Sequence, residues 1–148
     1  MDSNVTRRAL VLGCSKGPKD IPGVKNDVPN VVEYLCSPYG GSWKSSEMEV
    51  ITSPTRVEVQ MALNRAVADY TIVYFSGHGY TDGLSGQRMI SLKDGNIPDS
   101  FLLINSPRQL VMIDSCRDIL PSGSFGNSFM RGEPRNFSGA STINRRRM

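Results

Sequence analysis

The sequence predicts an α/β fold, a mostly parallel sheet with helices on both faces. Apolar runs of strand length alternate with segments of helical periodicity along the 148 residues. Two of these runs, Tyr70-Thr71-Ile72-Val73-Tyr74-Phe75 and Gln109-Leu110-Val111-Met112-Ile113, are continuous, as expected of strands buried on both faces. Each passes straight into polar, chemically capable residues. The first leads to Ser76-Gly77-His78-Gly79 and the second to Asp114-Ser115-Cys116-Arg117-Asp118. In open α/β sheets, sites gather at the carboxyl ends of the strands.

Each element has its own local reason. Arg8-Ala9-Leu10-Val11-Leu12, stopped by Gly13, reads as the first strand, and a Gly-, Pro- and Lys-rich loop follows to about Lys25. Val28, Val31, Val32 and Leu35 then recur at i, i+3, i+4 and i+7, one stripe of an amphipathic helix. Asn26 or Asp27 is placed to cap it, with Pro29 confined to its first turn. Ser37-Pro38-Tyr39-Gly40-Gly41-Ser42 ends that helix, and Met48-Glu49-Val50-Ile51 is the second strand. Thr52 or Ser53 before Pro54 signals a second helix, with Val59, Leu63, Ala66 and Val67 as its buried stripe. After the strand leading to His78, the segment Tyr80–Asn96 is glycine-rich, with a weak strand over Arg88–Leu92 as one arm of a hairpin. Pro98 to Ile104 reads as a short helix before the strand that leads to Cys116. The expected order is β-α-β-α-β-(hairpin)-α-β. Two regions result, a folded unit over 1–120 and a Gly-, Ser- and Arg-rich flexible tail over 121–148, in which no strand is expected.

Composition narrows the function. One domain of this length holds a core without disulfide support. Three cysteines, Cys14, Cys36 and Cys116, form no CxxC pair, which suits a reduced protein and argues against a disulfide scaffold. Cys14 and Cys36 read as inert core thiols. The start Met1-Asp2-Ser3-Asn4 lacks a secretory layout and no apolar stretch is long enough to span a bilayer, so no membrane partner and a cytoplasmic location are expected. The net charge of +3 owes much to Arg145-Arg146-Arg147. No aromatic stacking platform accompanies those arginines, so nucleic acid is not expected as a partner.

The chemistry concentrates at the two strand ends. His78 is the sole histidine, set between two glycines, and Cys116 lies among Asp114, Ser115, Arg117 and Asp118. Two carboxylates and a guanidinium within five residues require a polar surface or cleft. A thiol beside an imidazole is the minimal equipment for nucleophilic acyl transfer.

Ser76-Gly77-His78-Gly79 followed by Asp114-Ser115-Cys116-Arg117 resembles the caspase–metacaspase superfamily of cysteine peptidases. The separation of 38 positions (116 − 78) is shorter than the roughly 50 of the caspase signature. Arg8-Ala9-Leu10-Val11-Leu12-Gly13 is similar to the family's first strand, and Gly23-Val24-Lys25-Asn26-Asp27-Val28 to the segment opening its first helix. The Asp-Ser-Cys form is nearer to metacaspases and bacterial caspase-like proteins than to animal caspases.

The resemblance implies Cys116 as nucleophile, His78 as general acid/base, and the backbone N–H groups of Gly79 and Cys116 as the oxyanion site. It also implies a first specificity pocket lined by Asp27, Ser76 and Asp114. Two carboxylates around one pocket favour a cationic side chain, so a peptide or protein substrate cut after Arg or Lys is expected. Asp27 is equally readable as a simple helix cap. Calcium is not supported, because Asp82, Asp94 and Asp99 are scattered where calcium-dependent relatives carry an acidic cluster; no cofactor is expected. Only 32 residues (148 − 116) follow the cysteine, so the C-terminal strands of a caspase-like fold are expected to be missing. The alternative is therefore an inactive or incomplete caspase-like module that acts by binding a partner, either a second copy or a complementing subunit.

Overall fold

The structure is a computed structural model that describes residues 4–15, 21–116, 119–120 and 141–145. In chain order the elements are β1 (Arg7–Cys14), α1 (Val24–Cys36), β2 (Met48–Thr52), α2 (Arg56–Arg65) and β3 (Tyr70–Gly77). They continue with β4 (Gly79–Asp82), β5 (Arg88–Leu92), β6 (Gly95–Pro98), β7 (Arg108–Asp114), β8 (Ile119–Leu120) and β9 (Ser141–Arg145). The main sheet has the order β2-β1-β3-β7-β9, and a smaller one the order β6-β5-β4-β8. From β2 to β7 the main sheet is parallel. The predicted α/β class is thus observed.

Alternation along the strands sends side chains to two separate cores. Leu10, Leu12, Val73, Phe75, Val111 and Ile113 pack with Val59, Ala62 and Leu63 of α2. Ala9, Val11, Ile72 and Tyr74 pack with Val24, Val28 and Leu35 of α1 on the opposite face. Continuous apolar runs are what a strand covered on both faces needs. Among the described residues, no helix is long and apolar enough to cross a membrane.

Both helices start differently from expectation. α1 begins at Val24, behind Gly23, with no side-chain cap, so Asp27 lies in its first turn and Pro29 in the body of the helix. Pro29 is exposed and so is Lys25, whose carbonyl loses its helical N–H and meets solvent. The early start follows from Gly13. A Cβ there would stand 2.5 Å from Val28 Cγ2 and 3.2 Å from Val24 Cγ1, so only glycine lets the first turns of α1 lie on β1. For α2, Thr55 is the N-cap, and it exchanges hydrogen bonds with Glu58 in a capping box; Pro54 precedes the helix. Val67 lies beyond α2 and is exposed, while Ala62 takes its expected place in the core.

The glycine-rich segment is more ordered than a single hairpin. β4, β5 and β6 form an antiparallel meander, and β8 joins β4 in parallel. The short helix expected over 98–104 is a single 3-10 turn, Asp99–Leu102. Beyond Leu120 no strand was expected, yet Ser141–Arg145 pairs antiparallel with β7, from Ile113↔Ser141 to Gln109↔Arg145. Ser141-Thr142-Ile143-Asn144-Arg145 carries little apolar signal, and an edge ladder is held by backbone groups that composition does not reveal. Residues 121–140 and 146–148 of the predicted tail lie outside the described residues.

Candidate active site

The register gives His78 and Cys116 matching positions on neighbouring chain segments. β3 and β7 pair in parallel up to Ser76↔Asp114, and β4 and β8 pair in parallel at Thr81↔Ile119 and Asp82↔Leu120. The offset is 38 in both ladders (114 − 76 and 119 − 81). His78 and Cys116 share that offset (116 − 78) and fill the gap where both chains cross from the larger sheet to the smaller one. Adjacent strands run about 4.8 Å apart. His78 is buried, whereas Cys116 is only partly so.

Glycines make the crossing tight. A Cβ on Gly79 would stand 2.5 Å from Ser115 Oγ and 3.0 Å from the Met89 carbonyl oxygen, and one on Gly77 would stand 2.7 Å from the Cys14 carbonyl oxygen. Neither glycine has a positive φ. Their role is close approach of backbone and side chains. Gly79 is thereby held against the residue preceding Cys116, so the two proposed oxyanion donors are neighbours.

A second cluster sits on the α1 side of the same strand ends. Ser76 Oγ donates to Asp27 Oδ2 at 3.0 Å. Burial, and then the charge of Asp27, push the Asp114 carboxyl above its ordinary range. Asp27, Ser76 and Asp114 are therefore together, although Asp27 lies 49 positions from Ser76. Among the described residues, neither carboxylate has an ion-pair partner. Such a pair is a ready receiver for a cation.

Tyr74 belongs to this cluster too, and the sequence did not single it out. Its phenol is pushed up to about 12, first by burial and then by the charges of Asp114 and Asp27. The available signal was its spacing, two residues before Ser76 on the same strand face.

The other acids go elsewhere. Asp82 accepts from Ser85 N and Oγ, Asp94 from the Arg56 N–H at the start of α2, and Asp99 faces Arg88 at 3.9 Å. Cys14 is buried as expected, but Cys36 is exposed at the end of α1. Arg117 and Asp118 lie outside the described residues.

The model of the caspase domain family matches residues 6–144. The chain belongs to that family. Caspase-domain proteins are cysteine peptidases as a group, and the strand ends carrying His78 and Cys116 fall within the matched span. Among solved structures, caspase-1 from Spodoptera frugiperda is similar in fold at 17% sequence identity, with a TM-score of 0.50. The match covers 78% of this chain and 50% of that one, so the caspase-domain chain spans about half the length of that structure. No curated protein sequence matches it.

Proposed function

We propose that this caspase-domain chain is a metacaspase-like cysteine endopeptidase cutting after Arg or Lys, with Cys116 and His78 as its dyad. The observation that carries the reading is the 38-residue offset shared by the two ladders, which supports a pairing of the thiol with the imidazole at a seam between two sheets. The Cys116 sulfur attacks the scissile carbonyl carbon, and His78 takes the thiol proton and delivers it to the departing amine. The carbon–nitrogen bond breaks and a thioester remains. Water, deprotonated by His78, then releases the acid and restores the thiol. The Gly79 and Cys116 N–H groups hold the oxyanion in both halves.

Asp27 and Asp114 supply the selectivity, since a guanidinium or ammonium entering between them relieves their mutual repulsion. Ser76 keeps Asp27 in place. The substrate is therefore a peptide or protein with a basic residue at the cut. We also propose that turnover is independent of calcium, because Asp82, Asp94 and Asp99 are engaged at separate structural positions. The reading sets the activity in the cytoplasm, where reducing conditions keep Cys116 a thiol.

The test is turnover of fluorogenic peptides ending in Arg, Lys or Asp by wild type and Cys116→Ala, with and without calcium. Arg and Lys peptides should be cleaved by wild type alone, and Asp peptides at least about a hundredfold more slowly. Equal rates for the two proteins, or a preference for Asp, would overturn the proposal.

A further inference from the structure

We infer that Ser115 is a positioning residue for the oxyanion site, its side chain backing Gly79 so that the Gly79 N–H keeps its aim. The inference rests on the cysteine-peptidase reading proposed above. It begins with one peptide plane. The His78 carbonyl accepts from the Ser91 N–H of β5 at 2.9 Å, and the bond from His78 to Gly79 is trans. In a planar trans peptide the carbonyl and the following N–H point opposite ways. The Gly79 N–H therefore points away from β5, toward the segment that leaves β7 with Cys116 and returns as β8, the other neighbour of β4. A single backbone hydrogen bond thus sets the direction of the proposed donor.

Direction alone does not fix position. Gly79 has no Cβ, so its own backbone is freer than that of any other residue. The restraint comes from outside. A Cβ on Gly79 would stand 2.5 Å from Ser115 Oγ, 2.8 Å from Ser115 Cβ and 3.0 Å from the Met89 carbonyl oxygen. The Met89 oxygen belongs to the β5 ladder, so Ser115 supplies the side chain of this backing. Ser115 is buried, and it meets Gly79 on the side where residue 79 would carry a side chain. It acts on the oxyanion only through Gly79. A donor held rigidly in advance stabilises the developing charge at no cost of rearrangement, whereas one that yields stabilises it less.

The test separates positioning from packing by comparing wild type, Ser115→Gly and Ser115→Ala in turnover of an Arg fluorogenic peptide and in binding of Nα-acetyl-argininal and Nα-acetyl-arginine amide. The Cys116 sulfur adds to the aldehyde carbon, and the thiol proton ends on the oxygen that then fills the oxyanion site. The amide reads ground-state recognition alone. Ser115→Gly should lower kcat about tenfold at unchanged KM and weaken the aldehyde by the same factor, a fraction of the roughly hundred- to thousandfold that losing a whole donor costs. The amide should bind as before, and iodoacetamide should alkylate Cys116 at the wild-type rate, followed by mass of the Cys116 peptide. Ser115→Ala keeps the Cβ and should recover most of the lost kcat. Gly79→Ala should be nearly inactive, and adding Ser115→Gly to it should restore at least about tenfold, since the new methyl fills the space that Ser115 vacates. That pair stays readable even where Ser115→Gly alone melts early. Wild-type kcat in Ser115→Gly, equal losses of aldehyde and amide binding, or a double variant no better than Gly79→Ala overturns the inference. Wild type that turns over no Arg peptide removes the oxyanion site itself, and the inference with it.

Discussion

At the residue scale, the charge of Asp114 works against folding. Its carboxyl titrates above the ordinary value because burial and the nearby Asp27 disfavour its charge. An acid with a raised native pKa keeps its proton in the native state after the unfolded chain has lost it. Stability therefore falls as pH rises through that window, and the penalty persists in full above the native pKa. Asp114→Asn should raise the melting temperature at neutral pH by about 1–2 °C, a modest step for a chain of this size. The gain should vanish below the ordinary carboxylate range, where Asp114 is neutral in both states. The same variant should cut Arg-peptide turnover by at least about tenfold. Scanning fluorimetry at acid and neutral pH, with the fluorogenic assay alongside, checks both. Asp114, Ser76 and Asp27 were legible only through the resemblance. Tyr74 was hidden because an apolar run absorbs a tyrosine as core, and nothing local shows that its phenol feels Asp114 and Asp27.

At the element scale, the proposed pocket depends on how low α1 sits on the sheet. Gly13 sets that height, and α1 carries Asp27 down with it. Gly13→Ala would press a methyl group into Val28, a β-branched side chain with little rotameric escape. Overpacking of this kind costs about 1–3 kcal/mol. The expected result is a lower melting temperature together with a higher KM for Arg peptides and a nearly unchanged kcat. A loss of stability with KM unaltered would mean that Asp27 does not move with the helix. The sequence showed the stripe of α1 correctly but not its start, because Asn26 and Asp27 mimic a cap when the contact with Gly13 is unseen. For α2, Thr55 and Glu58 stood in plain view as a capping box, and Pro54 drew attention to the wrong residue.

At the scale of the whole molecule, what was legible depended on burial. β1, β3 and β7 lie between two helical layers, so their composition announces them. β4, β6 and β8 are short, and their pairing is decided by neighbours far along the chain. β9 was illegible for a related reason, since its contribution is a backbone ladder along β7. Removing Ser141–Met148 takes that ladder away and bares N–H and C=O groups beside the proposed nucleophile's strand. The shortened protein should self-associate, seen as a rise in mass by light scattering relative to the full chain. An unchanged mass would show that β7 needs no cover.

The constant offset also bears on how such a chain tolerates insertion and deletion. Between β4 and β7 lies a meander of turns whose length has no part in aligning His78 with Cys116, since that alignment comes from ladders on either side of the seam. Residues can be gained or lost there while the pair stays matched. The two connectors, Gly77 to Gly79 and Asp114 to Cys116, have no such latitude. One residue added to either would shift one partner by a single step and turn its side chain to the opposite face. Relatives with very different spacing between histidine and cysteine can therefore share one geometry, and the 38 positions found here are the length of a detour.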